Sequence, residues 1–189
     1  MDWLWTPWRY AYVTDNKPVR AGVPPELAAW PGDTGCVFCN LIAATAYAVE
    51  NGMSPEAADR AARIIARGPH CFVVLNAFPY ASGHSMIVPY DHLDSLHAQP
   101  PAAAQEIMQW AQRIDAVLRS VYHPDGINMG LNLGKAAGAG VAGHLHMHAL
   151  PRWSGDTNFL TVIAETRIMP EDLDTSWQRL HAALAKSAA

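Results

Sequence analysis

The chain has 189 residues, half of them hydrophobic and only 16% charged, with a formal net charge of −4. That is core enough for one globular domain, and it leaves no basic surface for tracking a nucleic-acid polymer. No run approaches the roughly 18 apolar residues of a membrane span, and the N-terminus, MDWLWTPWRY, has neither an apolar h-region nor a cleavage site. Three cysteines, Cys36, Cys39 and Cys71, are too few for a disulfide framework. A cytoplasmic protein that neither enters membranes nor binds nucleic-acid polymers is expected.

A short aromatic arm with Trp3, Trp5 and Trp8 precedes a Pro/Gly-rich connector over residues 18–35, so 1–35 is read as arm and connector and 36–189 as the functional domain. After CVFC, the segment LIAATAYAVE and the Pro55-led PEAADRAARIIARG read as two helical pieces, the second ending at Gly68. HCFVVLN (70–76) and HSMIVPY (84–90) are apolar and β-branched and read as neighbouring antiparallel strands across a turn with Pro79 and Gly83. Ile107, Ala111, Ile114, Leu118 and Val121 form one apolar stripe on a helix over about 101–122. GINMGLNLG (126–134) and GHLHMHALP (143–151) follow as strands joined by a Gly/Ala loop. A last helix begins at Pro170, with Leu173, Trp177, Leu180 and Leu184 on its buried side. Strands in hairpins with segregated helices predict an α+β architecture with an antiparallel sheet.

The chemistry concentrates in GHLHMHALPRW. On a strand, successive side chains alternate between faces, so His144, His146 and His148 share one face while Leu145, Met147 and Ala149 take the other. Such a face can hold a metal, run acid–base chemistry or supply a nitrogen nucleophile. The preceding loop, with Gly134, Gly138, Gly140 and Gly143, can turn backbone N–H groups toward an anion, though a hairpin needs glycine in any case. Together with Lys135 and Arg152 nearby, the combination suits attack on phosphorus better than metal catalysis.

His144-Leu145-His146-Met147-His148-Ala149-Leu150 resembles the His-φ-His-φ-His-φ-φ signature of the histidine triad (HIT) superfamily. LWTPWRYAYV, VLNAFPYASGHSMIVPYDH, GINMGLNLG and HALPRWSGDTNF resemble its diadenosine tetraphosphate hydrolase and phosphorylase-like branch. The resemblance implies a HIT-like fold of about five strands with a long helix and a C-terminal helix packed on the sheet, and a homodimer. It also implies nucleotidyl transfer through a covalent nucleotidyl-histidine. Within it, His146 matches the nucleophile, whose chemistry requires a neutral imidazole held at its other nitrogen. His148 matches the phosphate-contacting histidine and His144 the first of the triad. Asn76 matches the ribose contact and Asn132 an amide reaching the phosphate. Gly138, Gly140 and Gly143 match the backbone cradle. Apart from the resemblance, His84 is read as close to the chemistry, either as a nucleotide-site residue or only as the positioner of a triad neighbour. Capping of a strand end is the alternative reading of Asn76 and Asn132.

Cys36-Val37-Phe38-Cys39 can be a redox pair, half of a zinc site, or two buried thiols. A redox pair opens a helix after a strand, and this one follows a connector, which favours zinc. The family resemblance completes the site with His92 and His144, giving four ligands, no open position and hence a structural zinc. Cys71 reads as core, and His97, His123 and His181 as surface or helix residues. The expected activity is hydrolysis of dinucleoside polyphosphates or related adenylyl compounds. Phosphorolysis of the same substrates and a nucleotide-binding signalling module are the alternatives. Hydrolysis is favoured because Gly140, four residues before His144, stands where the resemblance implies Gln in many of the family's hydrolases or Ser in its phosphorylase-type members, and so offers no side-chain donor to hold inorganic phosphate in line.

Overall fold

A computed structural model describes residues 21–156 and 171–187; the tryptophan arm and Pro170 lie outside them. Helix α1 (Val37–Glu50) and helix α2 (Pro55–Ala61) come first. Strands β1 (Ile64–Arg67), β2 (Cys71–Leu75) and β3 (Ser85–Pro89) precede the long α3 (Pro101–Tyr122). Strands β4 (Gly126–Leu131) and β5 (Met147–Arg152) and helix α4 (Leu173–Ser187) complete the order. The strands form one five-stranded antiparallel sheet in the order β1-β2-β3-β5-β4, as the α+β expectation requires.

Side-chain alternation sorts the sheet into two cores. Cys71, Val73, Leu75, Ile87 and Ala149 meet Ile107, Trp110, Ile114 and Leu118 of α3 and Trp177, Leu180 and Leu184 of α4. Phe72, Val74, Met86 and Val88 face the other way, onto Phe38, Leu41 and Ala44 of α1 and onto Leu27. Each such fully buried side chain contributes roughly 1.5–3 kcal/mol, so the predicted stripe on α3 is what fixes that helix to the sheet. Gly83 is required by the same packing: it sits at φ 76, and a Cβ there would lie 2.5 Å from the Tyr122 ring.

Three expectations need correction. The second helical piece does not run to Gly68. It begins at Pro55, with the Ser54 hydroxyl accepting from the Ala57 N–H at 3.2 Å, and stops at Ala61. Arg63 then takes φ 60, and the β-branched pair Ile64-Ile65 enters the sheet opposite Val74. Helix α4 covers this edge strand, Trp177 donating from Nε1 to the Ile64 carbonyl at 2.8 Å, so β1 offers no open ladder. The strand of the triad starts at Met147 rather than Gly143, because the Leu145 N–H goes to the Leu93 carbonyl at 2.7 Å instead of to β3. The facial alternation holds all the same, with Leu145, Met147 and Ala149 all in the α3 core. The helix expected from Pro170 is regular from Leu173. Among the described residues no helix is long and apolar enough to cross a membrane.

Candidate functional site

The ends of β2, β3 and β5 meet under the N-terminal half of α1. His146 is 5% exposed, and its Nδ1 lies 2.8 Å from the His144 carbonyl. A carbonyl only accepts, so the proton sits on Nδ1 and the lone pair is left on Nε2. Burial holds the imidazole below its usual pKa, with the hydrogen bond to that carbonyl partly opposing it; the neutral form is therefore kept at pH 7.

His148 pairs with Met86 across β3 and is positioned by His84. The Tyr80 N–H donates to His84 Nδ1 at 3.2 Å, which puts the His84 proton on Nε2. That nitrogen faces His148 Nδ1 at 2.9 Å, so His148 in turn carries its proton on Nε2. Burial, with the neighbouring histidines, lowers His84 to about 3 and His148 to about 4. The rings of His146 and His148 are 5.0 Å apart. A neutral nitrogen base and a neutral N–H donor thus stand side by side.

Both open onto one cleft. It is lined by the apolar Val37, Phe38, Leu41, Val74 and Met86, by Gly138, Gly140 and Val141 of the loop before the triad, and by Asn76 and Arg63. Asn76 serves both of its readings: its Oδ1 accepts from the Phe78 N–H at 3.0 Å, capping the turn, while its Nδ2 lies 3.4 Å from His84 Nδ1.

His144 points elsewhere. Its Nε2 lies 2.9 Å from the Pro89 carbonyl and is the protonated nitrogen, so the lone pair of Nδ1 faces Cys36 Sγ at 3.4 Å and Cys39 Sγ at 3.6 Å. His92 Nδ1 is 3.4 Å from Cys39 Sγ. All four ligand atoms lie within 4.8 Å of one another. Tetrahedral bonds of about 2.3 Å to sulfur and 2.0–2.1 Å to nitrogen put adjacent S and N about 3.6 Å apart, so the cluster fits a metal ion of that size. The His144 hydrogen bond to a backbone carbonyl is the outer-shell contact that orients such a ligand. Cys39 does not show the activation of a redox thiol: burial and the neighbouring Cys36 push it up to about 11, whereas redox C-x-x-C thiols are lowered.

Other expected residues are placed differently. Gly143 lies by His92, 3.7 Å from its Nε2 at the nearest approach of a Cβ, on the cysteine side. The Gly138 N–H is used within the loop, donating to the Lys135 carbonyl at 3.0 Å. Asn132 directly follows Leu131, the β4 partner of Met147, and is exposed; Lys135 is exposed on a single 3-10 turn. Arg152 lies at the opposite end of β5, about 13 Å beyond His148 along the strand, in an ion pair with Asp156. Cys71 is core, and His181 stacks on Trp177.

Three contributors escape sequence reading. Phe38 touches both His144 and His146, with ring centroids at 5.3 and 5.1 Å. Buried Asn40 fastens the segment before α1, its Oδ1 accepting from the Thr34 N–H at 2.7 Å and its Nδ2 donating to the Ala21 carbonyl at 2.9 Å. Arg63 lines the cleft from β1's start. The only signals were two apolar-helix positions and a helix end without glycine.

Residues 58–155 match the HIT domain model. An AP-4-A phosphorylase from Mycobacterium tuberculosis is 35% identical over 168 residues, spanning 89% of this chain and 76% of that protein. Protein hit of Bacillus subtilis is 26% identical, over 82% of this chain and 94% of its own length. Among solved structures, a zinc-bound histidine triad family protein from Mycobacterium smegmatis superposes with a TM-score of 0.60 at 28% identity, covering 84% of this chain and all of that one. With the triad built as described and the match extending over most of its length, the chain belongs to the HIT domain family.

Proposed function

We propose that this protein transfers a nucleotidyl group from a dinucleoside polyphosphate through a covalent intermediate on His146. The observation that carries the reading is the fixed tautomer of His146: a neutral ring whose Nδ1–H is committed to the His144 carbonyl, leaving Nε2 as the nucleophile. In the first step Nε2 forms a bond to the α-phosphorus, and the P–O bond to the rest of the polyphosphate breaks. His148, with its proton on Nε2, donates a hydrogen bond at the phosphoryl oxygens or the leaving group. In the second step an oxygen of the acceptor bonds to the same phosphorus as the P–Nε2 bond breaks, the bonding pair returning to Nε2 so that His146 is again neutral. Asn76 takes the ribose hydroxyls, the α1 wall takes the base, and the loop with Gly138 and Gly140 lies against the phosphates. Asn132 and Gly143 are not among the residues that line this cleft.

The proposed acceptor is inorganic phosphate. The similarity to a protein named AP-4-A phosphorylase extends over 89% of the chain, whereas the sequence argument for water rests on the single position Gly140. Gly140 does line the cleft, and its lack of a side chain keeps hydrolysis as the second reading. We assign a structural zinc to Cys36, Cys39, His92 and His144; bound there, it ties the first turn of α1 to the segment that carries His146. A homodimer and a reducing, cytoplasmic setting, which so few cysteines suit, belong to the same reading.

The deciding experiment incubates diadenosine tetraphosphate with and without saturating phosphate and resolves the products. ADP plus ATP is expected with phosphate; AMP plus ATP under both conditions would move the assignment to hydrolysis. Trapping an adenylylated protein that is lost in His146→Asn tests the intermediate, and turnover by that variant at the wild-type rate would exclude it.

A further inference from the structure

Seven arginines fall among the described residues, and six have evident partners. Arg60, Arg67, Arg119, Arg152 and Arg179 form ion pairs, and Arg113 stacks on Trp110. Arg63 has neither among the described residues. It is half-buried, it lines the cleft that holds His146 and Asn76, and it borders the outer groove beside α4 as well. Its backbone is at φ 60, immediately past the end of α2, where glycine or asparagine is the usual occupant. A bulky side chain held in that conformation without a protein partner breaks the local rule in the manner of a functional position.

Its place in the sheet says which part of a ligand it meets. The Leu75 N–H donates to the Arg63 carbonyl at 2.9 Å; Asn76 comes next, 3.4 Å from His84, and His84 is 2.9 Å from His148. Along the sheet end the order is therefore His148, His84, Asn76, Arg63. With phosphorus at His146 and ribose at Asn76, the base is left the part of the cleft lined by Val37, Phe38 and Leu41, and Arg63 lines the same cleft beyond Asn76.

We infer that Arg63 reads the nucleobase and selects a purine edge carrying two adjacent acceptors, that is, guanine. The guanidinium fork matches the O6 and N7 pair of guanine, whereas adenine presents a donor amine in place of O6. A lysine in its place supplies charge without the fork. The inference rests on the nucleotidyl-transfer reading only in taking the cleft as a nucleotide site, and it concerns recognition rather than the chemical step.

Calorimetric titration of the full chain and its Arg63→Ala and Arg63→Lys variants with GMP, AMP and CMP tests it, alongside kcat and KM on diguanosine and diadenosine tetraphosphate. The wild type is expected to bind GMP more tightly than AMP. Both variants should weaken GMP about tenfold, the cost of one bidentate base contact, and raise KM on diguanosine tetraphosphate in step, while AMP affinity changes less than about twofold. Alanine and lysine pay the same backbone cost at φ 60 as arginine, so matching melting temperatures confirm intact folding. Equal losses for GMP and AMP, or a GMP preference fully kept in Arg63→Lys, overturn base reading while leaving the nucleotide site standing. Failure of all three monophosphates to bind the wild type overturns the site and the inference together.

Discussion

His144 and His146 stand two residues apart on one segment and use opposite nitrogens. A backbone carbonyl, that of Pro89, claims Nε2 of His144 and frees Nδ1 for the sulfurs of Cys36 and Cys39. Another carbonyl, that of His144 itself, claims Nδ1 of His146 and frees Nε2. The same side chain offers Nδ1 to the two cysteines in one place and Nε2 to the cleft in the other, because a main-chain acceptor fixes which nitrogen keeps its lone pair. Residue type alone does not separate the two regions; hydrogen-bond partners do.

Breaking the regions one at a time gives the largest effects. His146→Gly should lower turnover by at least about 10³-fold, as for loss of a nucleophile, with zinc content and melting temperature near wild type. Cys39→Ser should do the reverse: zinc lost on purification and melting lowered on the order of 10 °C, as for several kcal/mol of metal-coupled folding in a chain of this size. Elemental analysis and thermal melts beside single-turnover assays read both arms. Zinc loss in His146→Gly, or a Cys39→Ser protein with wild-type metal and melting, would show that the division drawn between the regions is wrong.

An intermediate effect is expected at His84, which sets the tautomer of His148. His84→Ala should cost about 10- to 100-fold in kcat, the range for a removed orienting partner, with little change in zinc content. The same pair sharpens the acid limb. Folded pKa values near 3 for His84 and near 4 for His148 lie below the ordinary 6.5. Between those values the unfolded chain binds more protons, so stability rises with pH there and is lost as pH falls below 6.5. His84→Ala, with one such group fewer, should show a shallower loss between pH 6 and 4 in urea titrations. An unchanged slope would mean that His84 is protonated in the native state.

Periodicity made much of this legible and failed where tertiary partners decided. The α3 stripe, both central strands and the apolar trio Leu145, Met147 and Ala149 follow from residue spacing, and the C-x-x-C cysteines meet the two histidines that the family resemblance supplied. Residues 62–67 read as helix because ARIIAR is compatible with one; its assignment to a strand comes from the pairing of Ile64 with Val74 and from the covering Trp177. Arg152 was placed near the phosphates by proximity in sequence, yet four strand residues carry it to the far end of the sheet. Neither tautomer could be read from sequence, since each depends on a carbonyl fixed only by the fold.

The smallest expected effect tests whether the two regions are mechanically joined. Phe38 is 2% exposed, sits between the two cysteines, touches the rings of both His144 and His146 and forms part of the wall of the cleft. Phe38→Leu keeps an apolar side chain in place and loses the ring contacts to both imidazoles. The cost in stability should be about 1–2 kcal/mol, below the roughly 3–5 kcal/mol of a full Phe→Ala truncation. Because one ring serves both neighbours, two readouts should move together: a rise in KM of a few-fold for the nucleotide substrate and a faster release of zinc to a chelator. Adding excess zinc separates the causes. If KM recovers, the ring acts on the cleft by steadying the metal segment; if it does not, the ring contacts the substrate's base directly. A change in only one readout would show that α1 serves the two sites independently.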